Sequence, residues 1–76
     1  MNRTQRMSPE LCKKMPDLLP YLPPLEQRVL VLYYGLYDQQ ALPFEKIGEE
    51  YGVTRETIRR VERRAVRMLT KTLQSS

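Results

Sequence analysis

The chain has 76 residues, 13 Lys/Arg against 9 Asp/Glu, a net charge of +4 and a hydrophobic share of 41%. A single domain this small buries only about 60% of its unfolded surface, so a large substrate-enclosing pocket is not expected. With no histidine and one cysteine, Cys12, it cannot assemble a Cys/His zinc site, a histidine-dependent triad or an internal disulfide. The expectation is therefore no enzyme, no catalytic residue, no metal and no cofactor, with Cys12 a small, partly buried side chain in a reduced compartment. The longest apolar run, Val29 to Tyr34, falls far short of the roughly 20 residues that span a bilayer. Met1 to Arg6 has no apolar region behind it to form a signal peptide. A soluble, cytoplasmic protein without membrane contact is expected.

In chain order, Met1 to Met7 is polar and basic, without apolar periodicity, and is expected to fray. Ser8-Pro9-Glu10 predicts a helix start, with Ser8 as cap, Pro9 at the first position and Glu10 in the first turn. Leu11, Met15, Leu18, Leu19 and Leu22 form an apolar stripe, but Pro16 and Pro20 each remove a donor and clash with the preceding turn. Two short helical pieces are expected, giving an N-terminal segment over residues 1–21 and a domain over 22–76. After Pro23-Pro24, the spacing of Leu25, Val29, Leu32, Tyr33 and Leu36 predicts a helix closed by Gly35. No other segment supplies a strand to pair with Val29 to Tyr34. Leu36 to Leu42 is a loop, and Pro43 opens the next helix, where its fixed φ helps and its missing N–H does no harm.

Phe44, Ile47 and Tyr51 share one face of a short helix. Gly52 is placed to take a left-handed conformation at its end, and the Thr54 hydroxyl to cap the helix that follows. Ile58, Val61, Ala65, Met68, Leu69 and Leu73 then keep a 3.6-residue period for about five turns. Arg55, Arg59, Arg60, Arg63, Arg64 and Arg67 occupy the rest of that helix's circumference. Gly48 inside the first helix, which costs roughly 1 kcal/mol against alanine, is explained by close approach of the second helix. Val53 supplies the apolar residue after the turn. The pattern predicts an all-α fold, a small helical domain with a helix-turn-helix.

From Arg55 to Lys71 there are seven basic residues against Glu56 and Glu62, a local charge of +5, while the remainder carries −1. A solvated helix usually alternates its charges; here Glu62 is the one acid expected to pair, with Arg59. Arginine suits phosphate forks and guanine edges. Tyr33, Tyr34, Tyr37 and Tyr51 are expected at the core edge, phenol outward, rather than as a base-stacking platform.

The strings Leu22-Pro23-Pro24-Leu25-Glu26-Gln27-Arg28-Val29-Leu30, Tyr34-Gly35-Leu36, Ile47-Gly48-Glu49-Glu50-Tyr51-Gly52-Val53-Thr54-Arg55-Glu56 and Ile58-Arg59 together resemble region 4 of bacterial primary sigma factors. The resemblance implies recognition of a −35 promoter element in the major groove of duplex DNA. It also implies docking on the flap of the RNA polymerase β subunit by the helices before the helix-turn-helix. Carried over by position, it has Arg55 reading a guanine, Glu56 accepting from a cytosine amino group and Arg59 holding phosphate. The DNA-binding set expected is Thr54, Arg55, Glu56, Arg59, Arg60, Arg63 and Arg64; the partner-binding set is Leu22, Leu25, Val29 and Leu32.

Two positions depart from the family's pattern: Arg60 replaces a base-contacting glutamine, and Thr57 replaces an arginine. Nothing in the chain resembles the family's core-polymerase-binding or promoter-melting regions. It is thus expected to be an excised domain, or a natural short protein working with a second sigma-like subunit or with polymerase already carrying a sigma factor; the starting Met1 favours the latter. An anti-sigma factor is a further expected partner. Two alternatives stand beside this. One is a response-regulator-type helix-turn-helix regulator, which the Tyr-Gly-Leu turn disfavours. The other is a polymerase or anti-sigma interaction module with only nonspecific DNA binding.

Overall fold

The structure is a computed structural model and describes residues 9–75; the expected Ser8 cap and the segment before it lie outside these residues. Four α-helices follow one another: α1 Pro9–Leu18, α2 Pro24–Tyr34, α3 Phe44–Tyr51 and α4 Arg55–Ser75, with a 3-10 turn Leu19–Tyr21 between α1 and α2. Among the described residues there is no strand.

The two short helical pieces expected before residue 22 are α1 and the 3-10 turn Leu19–Tyr21; the path changes at Pro20, while α1 passes through Pro16. Pro16 faces solvent, whereas Leu11, Met15 and Leu18, on the opposite stripe, are buried. Burying each such side chain stabilises by about 1.5–3 kcal/mol, which together exceeds the roughly 3 kcal/mol cost of an internal proline. Pro20 falls at the start of the 3-10 turn, where a missing N–H leaves no partner unsatisfied.

The interior is two adjoining clusters sharing α2. Leu11, Met15 and Leu18 of α1 meet Leu19 of the 3-10 turn, Leu22 just after it, Leu30 of α2, and Ala65 and Leu69 of α4 in the first. Val29 and Leu32, on another face of α2, meet Ile47 of α3 and Ile58 of α4 in the second, with Tyr33, Leu42, Phe44 and Val61 at its border. α2 ends at Gly35, and the Leu36 N–H returns to the Val31 carbonyl at 3.0 Å. The following loop carries Tyr37 and Asp38 at positive φ (54° and 65°), and the Leu42 N–H closes it onto the Leu32 carbonyl at 2.9 Å. This loop delivers the chain to α3 on the side of α2 away from α1.

Candidate nucleic-acid interface

Three residues, Gly52, Val53 and Thr54, separate α3 from α4. Gly52 takes φ +69°, the left-handed conformation that a reversal after a helix requires. A Cβ on Gly48 would lie 2.6 Å from the Val53 carbonyl oxygen, 3.3 Å from the Thr54 carbonyl carbon and 3.4 Å from the Arg55 nitrogen. The close approach expected at Gly48 is therefore made by the backbone of the turn and the first residue of α4. The Val53 N–H bonds back to the Gly48 carbonyl at 2.9 Å. Val53 itself corrects the expectation of an apolar anchor: its side chain is 42% exposed, because its backbone makes the contact with Gly48 and Ile47 and Ile58 fill the interior.

The cap on α4 is formed as the sequence predicts. Thr54 Oγ1 accepts from the Thr57 N–H at 3.2 Å and lies 3.0 Å from Thr57 Oγ1. Ile58, one turn in, pins α4 to the second cluster, leaving Arg55, Glu56 and Thr57 exposed ahead of it.

Behind the hydrogen bond to Glu56, the expected attraction between Glu62 and Arg59 is present as a charge effect that helps raise the Arg59 guanidinium, but the direct ion pairs run to Glu56. Arg59 donates from Nε to Glu56 Oε1 at 2.7 Å and from Nη2 to Glu56 Oε2, while Arg60 Nε reaches Oε2 at 3.3 Å. The hydrogen bond from Arg59, with the charges of Arg59 and Arg60 behind it, holds the Glu56 carboxyl down to about 2 from its usual 4.5, against partial desolvation. The same bond pushes the Arg59 guanidinium up. Glu62 instead is 2% exposed and accepts from the Tyr34 hydroxyl. It lies on the buried stripe, since Ile58, Glu62, Ala65 and Leu69 follow at intervals of four, three and four. The phenol of Tyr34 accordingly points inward, contrary to expectation. Tyr33 stacks on Phe44, with ring centres 4.1 Å apart and planes 10° apart, and meets Tyr34 edge-on. Tyr37 and Tyr51 are exposed.

Two open clefts lie along α4, one at its start and one beside its middle turns. One, of about 330 Å³, is lined by Tyr33, Pro43, Phe44, Glu45, Arg55 and Arg59. The other, of about 250 Å³, is walled entirely by Arg59, Arg60, Arg63, Arg64 and Arg67. Arg63, Arg64 and Arg67 pair with no carboxylate among the described residues. A concave all-arginine wall in which only Arg59 and Arg60 meet a carboxylate, that of Glu56, suits phosphate oxygens at Arg63, Arg64 and Arg67. Arg67 was outside the expected set, although it continues the three- and four-residue steps of Arg60, Arg63 and Arg64. Among the described residues there is no group of acids, cysteines or histidines able to hold a metal, and no helix long and apolar enough to cross a membrane.

Of the four expected partner-binding residues, Leu22, Val29 and Leu32 lie in the core and Leu25, 41% exposed, stands at the surface of α2. The expected DNA-binding residues stay together: all seven lie on α4 or its cap, within about 15 Å along one axis.

These features define a helix-turn-helix domain with an arginine-rich second helix. The chain belongs to the family described as Sigma-70, region 4, which matches residues 18–71. It is 42% identical over 59 residues to RNA polymerase sigma factor SigA of Clostridium acetobutylicum and 41% identical over 59 residues to RNA polymerase sigma factor SigA of a Bacillus species. Each of these alignments covers 78% of this chain, which spans only 16% of the relative's length. No solved structure gives a significant match.

Proposed function

We propose that this domain binds duplex promoter DNA of the −35 type, with the exposed first turns of α4 in the major groove, and acts in transcription initiation while docked on the β flap of RNA polymerase. The observation that carries this reading is the uncompensated arginine surface of α4: Arg55 leads the helix, and Arg63, Arg64 and Arg67 line an open wall beside it. Arg55 takes a guanine edge, Glu56 and Arg60 stand beside it, and Arg59, Arg63 and Arg64 face phosphates. The RNA polymerase sigma factors named among its relatives support the setting in transcription initiation. Leu25 on α2 is the exposed apolar residue available for the polymerase contact.

Gel-shift titration on promoter and random duplexes over a salt series tests the reading. With four to six phosphates neutralised, log K falls with log salt at a slope of about −4 to −5, and promoter DNA is preferred. Absence of binding at low salt would remove the proposal. Salt-sensitive binding with no sequence preference would favour the interaction-module alternative.

A further inference from the structure

Arg60 stands where the family usually has a glutamine, and the carboxylate it meets belongs to Glu56, the residue expected to accept from cytosine. Three donors converge on that group: Arg59 Nε, Arg59 Nη2 and Arg60 Nε. A carboxylate offers about four acceptor sites, so most of the capacity of Glu56 is engaged before any DNA arrives.

The two arginines are held in different ways. Arg59 gives Glu56 a full side of its fork, and its side chain is 35% exposed. Arg60 gives only its inner nitrogen, and its side chain is 74% exposed. A guanidinium held by Nε still presents both terminal nitrogens, the two-donor edge that matches guanine O6 and N7. We infer that Glu56 is a positioning residue in this chain: it holds Arg60 by Nε so that the outer fork of Arg60 reads a guanine, and base preference at that step belongs to Arg60 rather than to a cytosine contact by Glu56. Arg59, closed on the same carboxylate, braces it from the other side. The inference rests on the proposed placement of α4 in the major groove.

The experiment is a gel-shift matrix, at one low salt concentration, of every single-base variant of a selected site. The proteins are the unmodified chain, Arg60→Ala, Arg60→Gln, Glu56→Gln and the Glu56→Gln/Arg60→Ala double variant. Both positions are exposed, and thermal melts check that each variant is folded. Arg60→Ala should lose roughly 10- to 100-fold of discrimination at one G·C pair, and Arg60→Gln should switch the preferred base there from guanine to adenine. Glu56→Gln should weaken preference at that same pair about 2- to 5-fold, and should add nothing there once Arg60 is alanine.

If the unmodified chain prefers a sequence, but Glu56→Gln removes preference at a different pair and the two substitutions add, Glu56 reads a base directly and the inference is overturned alone. An unmodified chain that binds no DNA at low salt takes down both the inference and the reading beneath it.

Discussion

The Tyr34 hydroxyl on α2 donates a hydrogen bond to Oε2 of Glu62 on α4, joining residues 28 apart in the chain. Glu62 is almost fully buried, and a buried carboxyl group requires such partners to remain there. Tyr34→Phe keeps the ring and removes the donor. Urea unfolding at neutral pH should show a loss of about 1–3 kcal/mol, and a loss within error of zero would show that the bond contributes nothing to the fold.

Gly48 and Gly52 should respond to alanine for different reasons. In an ordinary helix interior, glycine to alanine stabilises by up to about 1 kcal/mol. At Gly48 the new methyl would sit 2.6 Å from a backbone oxygen of the turn, so Gly48→Ala should destabilise by about 1–3 kcal/mol through displacement of that turn. At Gly52 nothing lies within 4 Å of the added carbon, but φ is +69°, and the left-handed conformation costs about 1–2 kcal/mol. Beyond the neighbours of each substituted residue, Gly48→Ala should perturb the amide signals of Thr54 and Arg55 more strongly than Gly52→Ala does; equal perturbation there in both variants would contradict this assignment.

Much of this was legible beforehand because it depends on local chemistry. Gly52, the Thr54 cap and the 3.6-residue stripe of α4 are set by residues close in sequence. What escaped depends on contacts between distant segments. Of the two prolines expected to divide the first segment, Pro20 marks the change of helical path, whereas burial of Leu11 and Met15 carries α1 through Pro16. Val53 looked like an anchor, yet it is the Val53 backbone that packs on Gly48. Glu62 carried a charge that suggested solvent, although its spacing from Ile58, Ala65 and Leu69 already placed it inside; its partner, Tyr34, comes from another helix. On the candidate site, Arg55, Arg59, Arg60, Arg63 and Arg64 are legible as a charge surplus. That Arg59 and Arg60 are bound to Glu56 while Arg63 and Arg64 meet no carboxylate among the described residues depends on side-chain geometry.

Glu56 supplies a test by pH. Its folded carboxyl is held down to about 2, first by the Arg59 hydrogen bond. A lowered carboxyl contributes above its ordinary value and is lost as pH falls through its folded one. The clamp on Arg59 and Arg60 should therefore be intact above about pH 4.5 and open as pH falls through about 2. Side-chain carboxyl NMR should give that low midpoint, and Arg59→Ala should return it toward 4.5. A midpoint near 4.5 in the unmodified chain would mean that the clamp does not persist in solution.

Arg55 and Arg64 should separate base reading from phosphate binding. Arg55→Ala is expected to relax preference at one position by about 1–3 kcal/mol. Arg64→Ala, in the arginine wall, should weaken all sequences alike and reduce the salt slope by about 1. Uniform weakening by Arg55→Ala on matched and mismatched sites would take base reading away from that residue.

Leu25 tests the polymerase contact. Because it is exposed while Leu22, Val29 and Leu32 are not, Leu25→Asp should leave the melting temperature nearly unchanged and reduce capture by the isolated β flap. DNA binding by the domain alone should be unaffected, and polymerase should raise promoter occupancy through tethering. Undiminished flap capture by the folded variant would place the contact elsewhere.

α4 runs unbroken for 21 residues. Ala65 and Leu69 are packed among side chains of α1 and α2, while Arg55 stands beyond the last buried contact at Ile58. Ile58 and Leu69 are eleven residues, about 16 Å, apart along the helix axis, so α4 is held at two separated points and is not free to swing about either one. The seating of Leu11 and Met15 with Ala65 and Leu69, together with that of Val29 and Ile47 against Ile58, therefore fixes the direction in which Arg55 projects from the body of the domain, as two bearings fix the line of a shaft.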